Sequence, residues 1–170
     1  MEQVILVDEL DNPQGLMEKM EAHRKGILHR AFSVFVFNDK EELLLQRRAT
    51  SKYHSGGLWT NTCCSHPREG ESPNQAALRR LKEEMGFVCP IEKAFHFIYR
   101  SELDNELTEH EYDHVFFGQF NGSPQPNNEE VGEWKYSSLQ EIKDDIDENP
   151  LQYTEWFKIC FHRVFEMKSK

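Results

Sequence analysis

The stretch from Ser72 to Gly86 constrains the fold more than any other, because both ends of a helix are written into it. Ser72 is a capping residue. Pro73 suits the first helical position, where no backbone N–H is needed, and Gly86 tolerates the conformation that stops a helix. Ala76, Ala77, Leu78, Leu81 and Met85 supply the apolar positions between them. Alternating or continuous apolar runs at 3–7, 32–37, 43–46, 94–99 and 115–120 read as strands, with a turn at Asn38-Asp39-Lys40. Two further helices are expected at 138–146 and 154–167, and 121–130 reads as a polar loop rich in Asn and Pro.

Strands, one central helix, strands again and then helices predict an α+β fold, an α/β/α sandwich with a mixed sheet flanked by helices. The 170 residues, 38% of them hydrophobic, suit one domain spanning 1–170. The chain has no run of about 18 apolar residues, and its first residues lack the basic region of a secretory signal, so a cytoplasmic location is expected. A net charge of -10 with no basic stripe argues against a nucleic-acid partner. Two short basic islands, Arg47-Arg48 with Lys52 and Arg79-Arg80, could hold a small anion, although such pairs are more often solvated surface. Cys63, Cys64, Cys89 and Cys160 have neither zinc-knuckle nor disulfide-framework spacing; reduced thiols are expected, with Cys89 and Cys160 packing as small hydrophobes.

Chemistry concentrates in Trp59-Thr60-Asn61-Thr62-Cys63-Cys64-Ser65-His66-Pro67, immediately before the capped helix. On that helix Arg80 and Glu84 share a face. Glu109 and Glu111, two apart on a strand, point to one side. With His23, His29 and His66 they would make a mixed nitrogen and oxygen site suited to a first-row metal more than to magnesium. Spacing alone leaves these residues scattered, and His54, His96, His110, His114 and His162 read as ordinary structural or surface histidines.

Glu71, seven residues, Arg79, one residue, Leu81, then Glu83-Glu84, one residue and Gly86 resembles the Nudix box. That resemblance implies the sandwich fold and a diphosphate ligand with a divalent cation at the helix. Two positions depart from the pattern: Ser65 stands at the leading glycine, and Arg80 replaces the glutamate that helps bind catalytic metal in Nudix hydrolases. Together with Leu28-His29-Arg30-Ala31-Phe32-Ser33, the Cys64 and His66 segment and Glu109-His110-Glu111, the altered box resembles the type I isopentenyl diphosphate isomerase family over nearly the whole chain.

The resemblance implies that His23, His29, His66, Glu109 and Glu111 hold one divalent metal (Mn, Zn or Mg). Cys64 and Glu111 would be the catalytic pair and Tyr99 a helper at the reacting carbon. Glu84, with the backbone carbonyl of Cys64, would hold a magnesium ion bridging to the substrate diphosphate. Lys19, Arg48, Lys52 and Arg80 would contact that diphosphate and Trp156 would form an aromatic wall. A thiolate at Cys64 is the expected base, favoured by nearby cations and backbone donors. The expected partner is a small isoprenoid diphosphate, with no membrane contact and a monomer or weak oligomer. A Nudix diphosphate hydrolase and a non-catalytic, metal-stabilised binding domain are the competing readings.

Overall fold

The structure, a computed structural model, describes residues 1–169. The capped helix is α2 (Pro73–Met85). Ser72 Oγ accepts from Gln75 N while the Gln75 side chain accepts from Ser72 N, so two otherwise orphaned donors are satisfied. At the other end Gly86 has φ 74°. The polar loop docks there: Gln125 N donates to Met85 O and Asn127 N to Glu84 O, both at 2.9 Å. A Cβ on Gly86 would collide with Gln125 O, so glycine is required for the approach as well as for the backbone.

Among the described residues nine strands form one mixed sheet. Its hub, β3 (His29–Phe37), runs parallel to β8 (Thr108–Gln119), from His29 opposite Glu111 to Phe37 opposite Gln119. Elsewhere β3 meets β1 (Gln3–Val7) at His29, β6 (Cys63–Ser65) with Ser33 opposite Cys64, and β4 (Glu42–Arg48) only at Phe37. The flanks are β2 (Pro13–Glu18) on β1, β7 (Ile91–Glu102) on β8, and β5 (Trp59–Thr60) and β9 (Val131–Ser138) on β4. Among the described residues three more α-helices are present, α1 (Lys19–Lys25), α3 (Leu139–Glu148) and α4 (Glu155–Lys168), with a short 3-10 turn at Pro150–Gln152.

Side-chain alternation on β3 builds the layers. Phe32, Val34 and Val36 meet Ala76, Ala77, Leu81 and Met85 of α2. Phe35 and Phe37, with Leu43, Leu45 and Val115, meet Phe157, Cys160, Phe161 and Val164 of α4. Phe157 is fully buried, which alone stabilises the fold by about 3 kcal/mol. This is the expected α/β/α arrangement.

Between β3 and β4 the ladder is open, and Asn61 and Thr62 fill the gap. Val36 N donates to Thr62 Oγ1 (2.9 Å), Thr62 Oγ1 donates to Leu44 O (2.6 Å), and Asn61 Nδ2 donates to Val34 O (3.1 Å). These bonds fix the entry into β6 and hence the position of Cys64.

The structure corrects several expected boundaries. Strand β8 begins at Thr108, well before the expected 115, because its first half carries Glu109, Glu111 and Asp113 on the face that Val115 continues into the apolar core. Likewise β3 begins at His29, and β7 spans Ile91–Glu102 where 94–99 was expected. The sequence reading lacks β2, α1, β5, β6 and β9. α1 has a hidden cap: Glu18 accepts from Met20 N and Glu21 N.

Candidate active site

The site lies where β3, β6 and β8 meet α1, α2 and the loop 49–58. His23 and His29 are fully buried, and His66, Glu109 and Glu111 are about 5% exposed or less. Donor atoms of His23, His29, His66 and Glu111 lie within 4.8 Å of one another. Glu109 falls in a neighbouring group with His23 and His54. The five expected metal residues are thus brought together in two overlapping sets that share His23.

Their hydrogen bonds test whether a cation fits. His23 Nδ1 donates to Lys19 O at 2.7 Å and His29 Nδ1 to Ile27 O at 2.8 Å, because a carbonyl can only accept. In the neutral rings each Nε2 therefore turns a lone pair inward. His29 Nε2 lies 3.0 Å and His66 Nε2 2.8 Å from Glu111 Oε2. His23 Nε2 is buried with no hydrogen-bond partner, 3.7 Å from Glu109 Oε1. Lone pairs facing carboxylate oxygens in a buried shell suit a positive ion, and the backbone carbonyls supply the outer support typical of metal-bound histidine.

Tyr99 differs from expectation. It does not line the cavity but lies behind it, its hydroxyl 2.5 Å from both Glu109 Oε2 and Glu111 Oε1. The phenol carries one hydrogen, which the two carboxylate oxygens share. The aromatic positions at the cavity itself are Trp156, Tyr53 and Phe32.

Cys64 lines the cavity, while Cys63 points toward α2 and donates to Glu84 Oε2 at 3.3 Å. The surroundings of Cys64 oppose its ionisation. Burial pushes the Cys64 thiol well up; Arg48 opposes this, and Glu84, Glu109 and Glu111 push it further. Burial also raises Glu111, but the His29 and His66 rings against it prevail and hold its carboxyl well below the usual range. Glu109 is similarly pushed up by burial and Glu111, yet His23 and His54 bring it down to about 2.

Lys19, Arg48, Lys52 and Arg80 all line the same cavity. Each has a partner: Lys19 Nζ is 3.0 Å from Glu2, Lys52 Nζ 2.5 Å from Glu130, and Arg80 3.2 Å from Glu84 and 3.4 Å from Glu130. Arg48 donates to His54 O and sits 5.3 Å from the Trp156 ring centre. Arg80 Nε is buried and unpartnered, which leaves one donor for an anion. Glu84 is 5% exposed and accepts from Gln46 Nε2 at 3.2 Å. Arg79 instead braces the turn before α2 through Glu71, at 2.7 and 2.9 Å.

Sequence reasoning missed His54, Tyr53, Asp113 and Glu130. His54 is 1% exposed, against the surface reading given to it. Asp113, also 1% exposed, lines the cavity; burial and then Glu111 raise its carboxyl well above the usual range. A signal did exist: Lys52-Tyr53-His54 places a cation, a phenol and an imidazole together in a Gly/Ser turn.

A mixed sheet between α2 and α4, with Arg80 and Glu84 of α2 both facing a cavity lined by cations and carboxylates, defines a class: residues 27–157 match the NUDIX domain family. Solved structures agree on the fold alone. A protein from Deinococcus radiodurans superimposes with TM-score 0.79 at 16% identity, covering 95% of this chain and 98% of its own. A MutT protein from Methanosarcina mazei superimposes with TM-score 0.68 at 20% identity, covering 84% and 96%. Sequence relatives are more specific. An Isopentenyl-diphosphate Delta-isomerase 2 of Aromatoleum aromaticum is 52% identical over 99% of this chain and 89% of its own length. An Isopentenyl-diphosphate Delta-isomerase of Pectobacterium atrosepticum is 54% identical over 95% and 90%. The chain belongs to the isopentenyl-diphosphate Delta-isomerase family of NUDIX proteins. Membership implies a divalent metal, and the His/Glu cluster is where the chain offers donors for it.

Proposed function

We propose that this protein interconverts isopentenyl diphosphate and dimethylallyl diphosphate, with Glu111 and Cys64 as the two proton carriers. The observation that carries the assignment is their placement: they stand on strands either side of β3, Glu111 opposite His29 and Cys64 opposite Ser33, and both reach one cavity. A proton can therefore enter the carbon chain from one side and leave toward another.

Toward dimethylallyl diphosphate, a proton on the Glu111 carboxyl adds to the terminal methylene carbon. The double-bond electrons form the new C–H bond and leave positive charge on the tertiary carbon. A C–H bond on the neighbouring carbon then breaks; its electrons become the new double bond and its proton goes to Cys64 Sγ. The step starts from protonated Glu111 and Cys64 thiolate and ends with Glu111 carboxylate and Cys64 thiol. Glu111 carboxylate and Cys64 thiol are the forms ready for the reverse direction, in which Cys64 donates and Glu111 accepts; a further forward turnover first needs one proton returned to Glu111 and one released from Cys64. Tyr99, whose hydroxyl lies against Glu109 Oε2 and Glu111 Oε1 from behind the cavity, acts as a positioning residue for the two carboxyls.

A carbocation must be kept from water. Trp156, 2% exposed, with Tyr53 and Phe32, walls the cavity; a desolvated ring face stabilises such a cation by about 2 kcal/mol. Lys19, Arg48, Lys52 and Arg80 grip the diphosphate by charge-assisted hydrogen bonds. His23, His29, His66, Glu109 and Glu111 would hold the divalent ion (Mn or Zn before Mg, given three imidazoles), and Glu84 with the Cys64 carbonyl a magnesium on the diphosphate. A divalent ion held there would offset the charge of the paired carboxylates and raise the acidity of Glu111. Arg80, in place of a water-activating glutamate, favours isomerisation over hydrolysis.

No helix among the described residues is long and apolar enough to cross a membrane. The proposal takes the chain as one domain of 170 residues, a monomer or weak oligomer in the cytoplasm, acting on a small molecule and not on nucleic acid. In heavy water, deuterium should enter the substrate without phosphate release. Cys64→Ala and Glu111→Gln should each abolish exchange and isomerisation; full activity in either, or steady release of phosphate, sinks the assignment.

A further inference from the structure

The loop 49–58 carries a histidine that the five-residue metal centre does not use. His54 is 1% exposed, and its Nε2 lies 2.8 Å from Glu109 Oε1. Despite that approach, Nε2 makes no hydrogen bond, just as His23 Nε2 makes none. Two buried imidazole nitrogens thus converge, unpartnered, on one carboxylate oxygen. His23, His54 and Glu109 offer donor atoms within 4.8 Å of one another, and His23 links them to His29, His66 and Glu111. Unpartnered buried nitrogens are rare, since each normally costs about 1–3 kcal/mol, and a cation shared with Glu109 would satisfy both.

The surroundings hold His54 in this position. Arg48 Nη2 donates to its carbonyl at 3.2 Å, Ser55 N donates to Asp104 Oδ1 at 3.0 Å, and the ring meets Trp156 edge-on at 5.7 Å between centres. The other histidines outside the centre are occupied or distant. His110 Nδ1 donates to Gly26 O, His114 pairs with Asp11, His96 stacks on Tyr112 and His162 is exposed.

We infer that His54 is a sixth protein donor of the metal centre, ligating through Nε2 at the end formed by His23 and Glu109. The inference rests on the metal centre of the preceding section and enlarges it to four imidazoles and two carboxylates. That donor set favours a first-row transition ion over magnesium, which prefers oxygen ligands and retains water. Six protein donors also leave no open position for solvent, as in a structural metal site and unlike a hydrolytic one. Because Arg48 grips the carbonyl of His54, the loop that holds the diphosphate would also close the metal shell.

The test measures metal binding directly. His54→Ala and His54→Gln are compared with the wild type by chelator competition for Mn2+, Co2+ and Zn2+, and by the visible absorption of the Co2+ protein. Thermal unfolding in excess chelator checks that the variants fold. Affinity should fall by about tenfold or more in both, and the Co2+ bands should intensify as coordination drops below six. His29→Ala should also lose affinity and the exposed His162→Ala should not. Wild-type affinity and an unchanged Co2+ spectrum in both His54 variants, with His29→Ala impaired, overturn the role of His54 alone. Wild-type affinity in His29→Ala overturns the metal centre and His54 with it.

Discussion

Gly86→Ala should separate the two demands made at the end of α2. The residue has φ 74°, so alanine incurs about 1–2 kcal/mol of left-handed strain. It also brings a Cβ into Gln125 O, which expels the loop and breaks the bonds Gln125 N to Met85 O and Asn127 N to Glu84 O. At about 1 kcal/mol per bond the total is roughly 3–4 kcal/mol, or a fall in Tm of about 6–15 °C for a chain of this size. Gly70→Ala is the control, since its φ is 84° but nothing lies within 4 Å of the new Cβ. It should show the strain alone, less than half the loss. Scanning calorimetry in excess chelator gives both values. The same loop carries Glu130, which pairs with Lys52 and Arg80, so Gly86→Ala should also raise KM for substrate several-fold with kcat little changed. Equal Tm losses in the two variants would refute the argument that the loop contact makes glycine necessary.

Three further outcomes follow from the site. Tyr99→Phe leaves Glu109 Oε2 and Glu111 Oε1 without their shared donor, so kcat should fall by tenfold or more while KM stays within about twofold; a larger change in KM than in kcat would contradict the positioning role. Arg80→Gln removes one charge-assisted contact of about 1.5–3 kcal/mol, so calorimetric affinity for inorganic pyrophosphate should drop at least tenfold, and unchanged affinity would remove Arg80 from the anion site. His114 is held neutral in the fold, pushed down to about 4 by burial and Lys93 in spite of Asp11. The unfolded chain therefore binds more protons than the folded one between about pH 6.5 and 4. The His114 contribution is present above pH 6.5 and is lost as pH falls toward 4. Tm should decline across that window, and His114→Asn should flatten the decline.

Helix α2 was legible because its signals are local: a cap, a proline, a glycine and helical spacing lie within one stretch. The chemical residues of Cys64, His66, Glu109 and Glu111 were legible through family resemblance and neighbouring motifs. What escaped was set by tertiary contact. The first half of β8 reads as polar because its inward face is a row of carboxylates, and burial of acids is not a strand signal. His54 sits in a turn-rich loop, where an imidazole ordinarily faces water, and only the fold brings it to Glu109. Tyr99 alternates correctly for a strand, yet nothing in β7 reveals that two carboxyls lie in front of its hydroxyl. The forces on the Cys64 thiol are only half visible, because nearby cations can be read in sequence while burial and three converging glutamates cannot.

The open seam between β3 and β4 divides the work of holding Cys64. The sulfur's own strand lies on β3, and the carboxylates of β8 lie on the other edge of the same strand, so backbone pairing sets their relative height. The chain that leads into β6 is held instead by the side chains of Asn61 and Thr62, which single substitutions can shorten or delete. A change at either residue would therefore loosen the approach to the reacting sulfur while its register with the carboxylates, and both apolar layers, stay as they are.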